Sequence, residues 1–84
     1  MPKRTPKEKL LIALEADEKQ ANVEVKRWDA TVNRYDADMI FNQEHNLPSL
    51  STIEASRDLA KQEAADAREM RRLYGVAIDA VRDA

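Results

Sequence analysis

Along the first half of the chain, apolar side chains recur in alternating steps of three and four residues. Leu11, Leu14, Ala21, Val25, Trp28, Val32, Tyr35 and Met39 share this spacing, with Glu18 and Asn42 filling two further positions. The second half repeats the pattern through Ile53, Ser56, Ala60, Glu63, Ala67, Met70, Tyr74, Ala77, Val81 and Ala84. Such spacing is the heptad signature of a helix with one packed seam. If the chain folds back at residues 47–48, the two seams pair so that partner residue numbers keep a constant total. Trp28 then meets Ala67, Tyr35 meets Ala60, and Ala21 meets Tyr74. Large side chains thus face small ones, as close packing of two long helices requires. A slip of one heptad would set Tyr35 against Ile53 and lose part of this match. The predicted fold is all-α, a long antiparallel two-helix hairpin of coiled-coil type.

Local signals place the ends. Thr5-Pro6-Lys7-Glu8 reads as a capping box with proline at the first helical position. Neither Pro nor Gly interrupts the following run, so a first helix is expected over about residues 6–43, roughly 55 Å at 1.5 Å per residue. Asn46 suits a left-handed C-terminal cap, and Pro48 biases Leu47 away from helix. Residues 44–51 are read as the turn, with Leu47 and Leu50 folded over the hairpin end. Ser51-Thr52-Ile53-Glu54 is a second capping-box pattern, which predicts a second helix over about 52–82. Gly75 lies inside that helix, costs about 1 kcal/mol relative to Ala, and marks the place where it would kink or fray. Residues 1–4 form a short basic arm, and the whole chain, 1–84, is read as a single domain.

Composition narrows the chemistry. Of 84 residues, 36% are charged, one is Gly and none is Cys, which excludes disulfides and thiolate metal sites. No apolar run approaches the roughly 20 residues that span a bilayer, and no apolar signal core follows the basic start. The expected location is the cytoplasm, or a particle assembled there, with no membrane partner. His45 is the single histidine and falls in the turn, where exposure to solvent is expected. Asp36 and Asp38, two residues apart on a helix, point about 200° from each other and cannot share an ion. Glu18 and Glu63 interrupt the seams, and their carboxylates are expected to reach sideways into water. No phosphate-binding loop, nucleophile elbow or metal-binding helix motif is present. The sequence therefore predicts a non-enzymatic protein with no catalytic residues, cofactor, metal or small-molecule substrate.

The flanks of the seams suggest surfaces instead. On the second helix, Leu59, Ala64, Leu73 and Ile78 widen the apolar face, and acidic edges of the first helix can pair with Arg57 and Arg71. Opposite the first seam lie Ala16, Val23, Ala30 and Ala37, with Ile12, Ile40 and Phe41 nearby. These seven residues form an expected partner-binding stripe. An isolated two-helix hairpin has a small core, and scaffolds of this size usually need a partner, a metal or disulfides. The expected partners are a second copy, giving a dimeric four-helix bundle, or a larger protein. By analogy of size and class, an assembly subunit, adaptor or protein inhibitor, such as a phage encodes, fits this description. The alternative reading is nucleic-acid binding through Lys3, Arg4, Lys7, Lys61, Arg68 and Arg72. Acids are interleaved among these cations, and Trp28 and Tyr35 belong to the seam rather than to a base-stacking platform.

Overall fold

The computed structural model describes residues 3–84, so the first two residues of the basic arm lie outside them. Helix α1 spans Pro6–Glu44 and helix α2 spans Leu50–Asp83. The two run antiparallel side by side as a slab of 65 × 23 × 13 Å. Its thin dimension is a single helix thick.

The ends of α1 form as the local signals require. The Glu8 backbone N–H donates to Thr5 Oγ1 at 3.2 Å, and Pro6 opens the helix. At the other end Asn46 adopts φ 52°, the left-handed conformation that asparagine tolerates. The Leu47 N–H reaches back to the Asn42 carbonyl (2.9 Å) and the Asn46 N–H to the Gln43 carbonyl (3.4 Å), the paired bonds of a Schellman C-cap. His45 is exposed, contacts the Phe41 carbonyl through Nδ1 at 2.9 Å and stacks on the Phe41 ring.

Helix α2 begins two residues before the expected position, and the Ser51–Glu54 capping box is not its start. Ser49 precedes the helix without capping it; its hydroxyl donates instead to Asn42 Oδ1. Asn42 Nδ2 in turn donates to the Asp38 carbonyl at 2.7 Å. This explains how a buried asparagine is tolerated at the closed end of the hairpin, because both ends of its amide are satisfied. Starting the helix at Leu50 half-buries that side chain, whereas Leu47 stays exposed and covers less of the hairpin end than expected. Gly75 neither breaks nor ends α2, which stays helical to Asp83.

All ten expected seam positions of α1 are buried or half-buried. In α2 one column of the expected seam holds: Ile53, Ala60, Ala67, Tyr74 and Val81 face α1. The other is displaced in part: Ser56 and Ala77 stay half-buried and Ala84 is exposed. Glu63 and Met70 are exposed, while Ala64 (1% exposed) and Ile78 (3%) occupy the interface with half-buried Arg57. Helix α2 is therefore rotated about its axis relative to the expected seam. The rotation carries the Glu63 carboxylate into water and buries the isoleucine, which favours both the polar and the apolar side of the exchange. The core that results is small: Ala21, Val25, Ala60, Ala64 and Ile78, and among the described residues no large side chain is wholly buried.

Polar contacts confirm the register. Arg57 pairs with Asp36 (3.6 Å), Arg68 with Asp29, and Arg82 with Glu15 (2.8 Å), while Arg71 donates to Asn22 (3.1 Å). The residue numbers of each pair fall just either side of the constant total of the seam pairs, as positions flanking the seam should. Exposed pairs of this kind contribute roughly 0.2–1 kcal/mol each. They select the alignment more than they hold it. Lys7 Nζ bonds the carbonyls of Arg82 (3.1 Å) and Ala84 (2.8 Å), tying the start of α1 to the end of α2.

Candidate interaction surfaces

The seven residues of the expected stripe are all exposed: Ile12, Ala16, Val23 (52%), Ala30, Ala37, Ile40 and Phe41 (54%). Helical spacing places them on the side of α1 turned away from α2. From Ile12 to Phe41 they run about 45 Å at 1.5 Å per residue. Ala16, Val23, Ala30 and Ala37 sit one heptad apart in a single line, where small side chains let another helix approach closely.

The six cations of the nucleic-acid reading do not gather. Lys3, Arg4 and Lys7 lie at the open end of the hairpin, whereas Lys61 is on the turn-proximal half of α2. Lys7 bonds the α2 terminus, Arg68 is committed to Asp29, and Arg72 to Glu69 at 2.6 Å. The Glu69 carboxyl is held below its usual range chiefly by the Arg72 hydrogen bond, and the Arg72 guanidinium is raised reciprocally. Arg57 is likewise raised, first by its hydrogen bond to Asp58 and then by the charges of Asp58 and Asp36. Half of the six cations are thus engaged within the molecule.

A different feature emerges from the rotation of α2. On one broad face a groove of about 350 Å³ lies between the helices, lined by Ala21, Trp28, Ala67, Met70 and Tyr74 together with Asp17, Gln20, Glu24, Glu63 and Asp66. Trp28 and Ala67, the expected seam partners, wall the same groove. The cross-helix ion pairs lie on the other flank, because Glu15, Asp29 and Asp36 project to the opposite side of the α1 seam from Asp17 and Glu24. Sequence reading identified the acidic edges of α1 and their capacity to pair with arginines. It did not show that one edge is neutralised and the other is not. The heptad spacing of Asp17 and Glu24 was available, but the contribution of Glu63 and Asp66 depends on how α2 is turned.

Among the described residues no three His, Cys, Asp or Glu side chains converge as metal ligands, and the groove carboxylates are spread along its rim. Among the described residues no helix is long and apolar enough to cross a membrane. Compared with protein-family models, curated proteins and solved structures, the chain gives no match.

Proposed function

We propose that this chain is a non-enzymatic interaction protein that completes its hydrophobic core by associating through the outer face of α1. One observation carries this reading. The slab is one helix thick, and among the described residues it leaves Leu10, Ile12, Val23, Ile40, Phe41, Leu47, Leu59, Met70, Leu73 and Val76 exposed while burying only five apolar ones. Domains ordinarily pack at least two layers around a core, and an isolated hairpin of this size is marginal. A second layer supplies what is missing. The line of Ala16, Val23, Ala30 and Ala37, edged by Ile12, Ile40 and Phe41, suits the heptad packing of a second copy into a four-helix assembly. A larger protein presenting one apolar helix would fit the same line.

Gel filtration with light scattering on the wild type and on the Ala30→Glu/Ala37→Glu variant tests the reading. A dimer for the wild type and a monomer of unchanged helicity for the variant are the expected results. A wild type that stays monomeric at high micromolar concentration and unfolds cooperatively with a high midpoint would refute self-association. A dimer indifferent to both glutamates would place the contact elsewhere. Recovery of a partner from the native host by the wild type, lost in the variant, would assign the stripe to docking.

A further inference from the structure

The groove between the helices carries chemistry that the outer face of α1 does not. Its floor is apolar and aromatic, with Trp28 and Tyr74 either side of Ala21, Ala67 and Met70. Its rim carries four carboxylates, two from each helix: Asp17 and Glu24 on α1, Glu63 and Asp66 on α2. Arginines of the other flank consume Glu15, Asp29 and Asp36. Among the described residues, Asp17, Glu63 and Asp66 have no ion-pair partner, and Glu24 has only Arg27, at 3.8 Å and with a side chain 72% exposed. Four like charges around an apolar trough oppose one another unless a cation lies among them.

Heptad spacing extends the apolar surface along the same face. Leu59 and Leu73 stand one heptad either side of Asp66, and Leu10 one heptad before Asp17. Met70 lines the groove itself, and Leu10, Leu59 and Leu73 lie on the same face beyond its ends, so this face carries four of the ten large apolar residues exposed among those described. A shallow trough between two helices, apolar along its floor, is the shape that a third helix fills. Its charge selects the kind of helix. Two copies of this chain laid groove to groove would bring eight carboxylates together, which disfavours a second copy as occupant. Guanidinium groups match it: they pair with carboxylates through two parallel hydrogen bonds and stack on the face of an indole.

We infer that the groove is a docking site for an arginine-bearing amphipathic helix of a partner protein, its leucine-type residues on Trp28, Met70 and Tyr74 and its arginines on Asp17, Glu24, Glu63 and Asp66. This does not depend on what the outer face of α1 binds, because the two surfaces lie on different sides of the slab.

Trp28 is the only tryptophan, so its emission reports on the groove directly. The probe is a synthetic helical peptide with Leu at heptad positions and Arg on both flanks. Titrating it into the full chain should give a saturable change in emission, with affinity falling steeply between low and high salt. A peptide with Glu in place of each Arg should give none. Glu63→Gln/Asp66→Asn should weaken binding about tenfold or more. Glu54→Gln/Asp79→Asn, which removes the same charge away from the groove, should leave it unchanged. Folding is not at risk in the first pair, since it relieves repulsion, and far-ultraviolet circular dichroism verifies this. The inference is overturned if the emission does not respond up to high micromolar peptide. Equal weakening by both double variants overturns it too, since bulk charge alone would then explain binding. So does self-association strengthened by Glu63→Gln/Asp66→Asn and not competed by the peptide, which would make a second copy the occupant.

Discussion

Gly75→Ala should stabilise the protein. Gly75 is half-buried within α2, nine residues before the last described residue, and its φ is not in the positive region that glycine alone tolerates. In a helix interior, glycine is about 0.5–1 kcal/mol worse than alanine, because it surrenders more backbone freedom on folding. The opposing term depends on what a methyl would meet there. The nearest heavy atom is Glu18 Oε2 at 3.4 Å, an ordinary contact with the tip of a flexible side chain. Glu18 can move slightly, at a cost of a few tenths of a kcal/mol, well inside the ordinary range of surface adjustments. A net gain of about 0.2–0.7 kcal/mol follows, and because about 1 kcal/mol raises Tm by roughly 4–8 °C in a domain of this size, Tm should rise by roughly 1–5 °C. Thermal melts followed by circular dichroism, at one fixed protein concentration because association shifts apparent stability, measure it. Urea titration should show a higher midpoint with an unchanged slope. A fall of several degrees would refute the reasoning. It would mean that the Glu18 carboxylate is fixed over the glycine, and that the open end of the hairpin depends on the missing methyl.

Two further outcomes test the ends and the charges. Asn46→Ala should cost about 1 kcal/mol, since alanine in the left-handed conformation at φ 52° is strained, while Asn46→Gly should be neutral or slightly stabilising; paired thermal melts distinguish them, and equal losses would argue that the asparagine side chain matters rather than its backbone. Glu69 has a folded pKa below its ordinary value, so its stabilising contribution is present above the usual carboxylate range and disappears as pH falls through the depressed value. The difference in Tm between wild type and Glu69→Gln should therefore be small at neutral pH, shrink in molar salt, and vanish in acid below that range.

The pattern of the chain alone determined that two helices form, where α1 starts, that Asn46 and Pro48 reverse the chain, and which residues of α2 stand level with those of α1. These are consequences of local periodicity, capping and size matching, and each can be read from a few neighbouring residues. The face of α1 that packs was legible for the same reason: of the columns with this spacing it is the most apolar and the one that carries Trp28 and Tyr35. For α2 the sequence offered two adjacent columns, one through Glu63 and Met70 and one through Ala64 and Ile78. Both satisfy the alternating steps of three and four. Choosing between them requires the free energy of the whole interface, in which burying Ile78 and solvating Glu63 decide the rotation. The same rotation decides that Arg57, Arg68 and Arg82 neutralise one acidic flank of α1 and leave Asp17 and Glu24 beside Glu63 and Asp66. It is also tertiary contact that moves the start of α2 to Leu50, because the Ser49 hydroxyl serves the buried Asn42 of the other helix instead of a cap of its own. Local order is set by spacing along one helix, but the turn of one helix against another is a property of the pair.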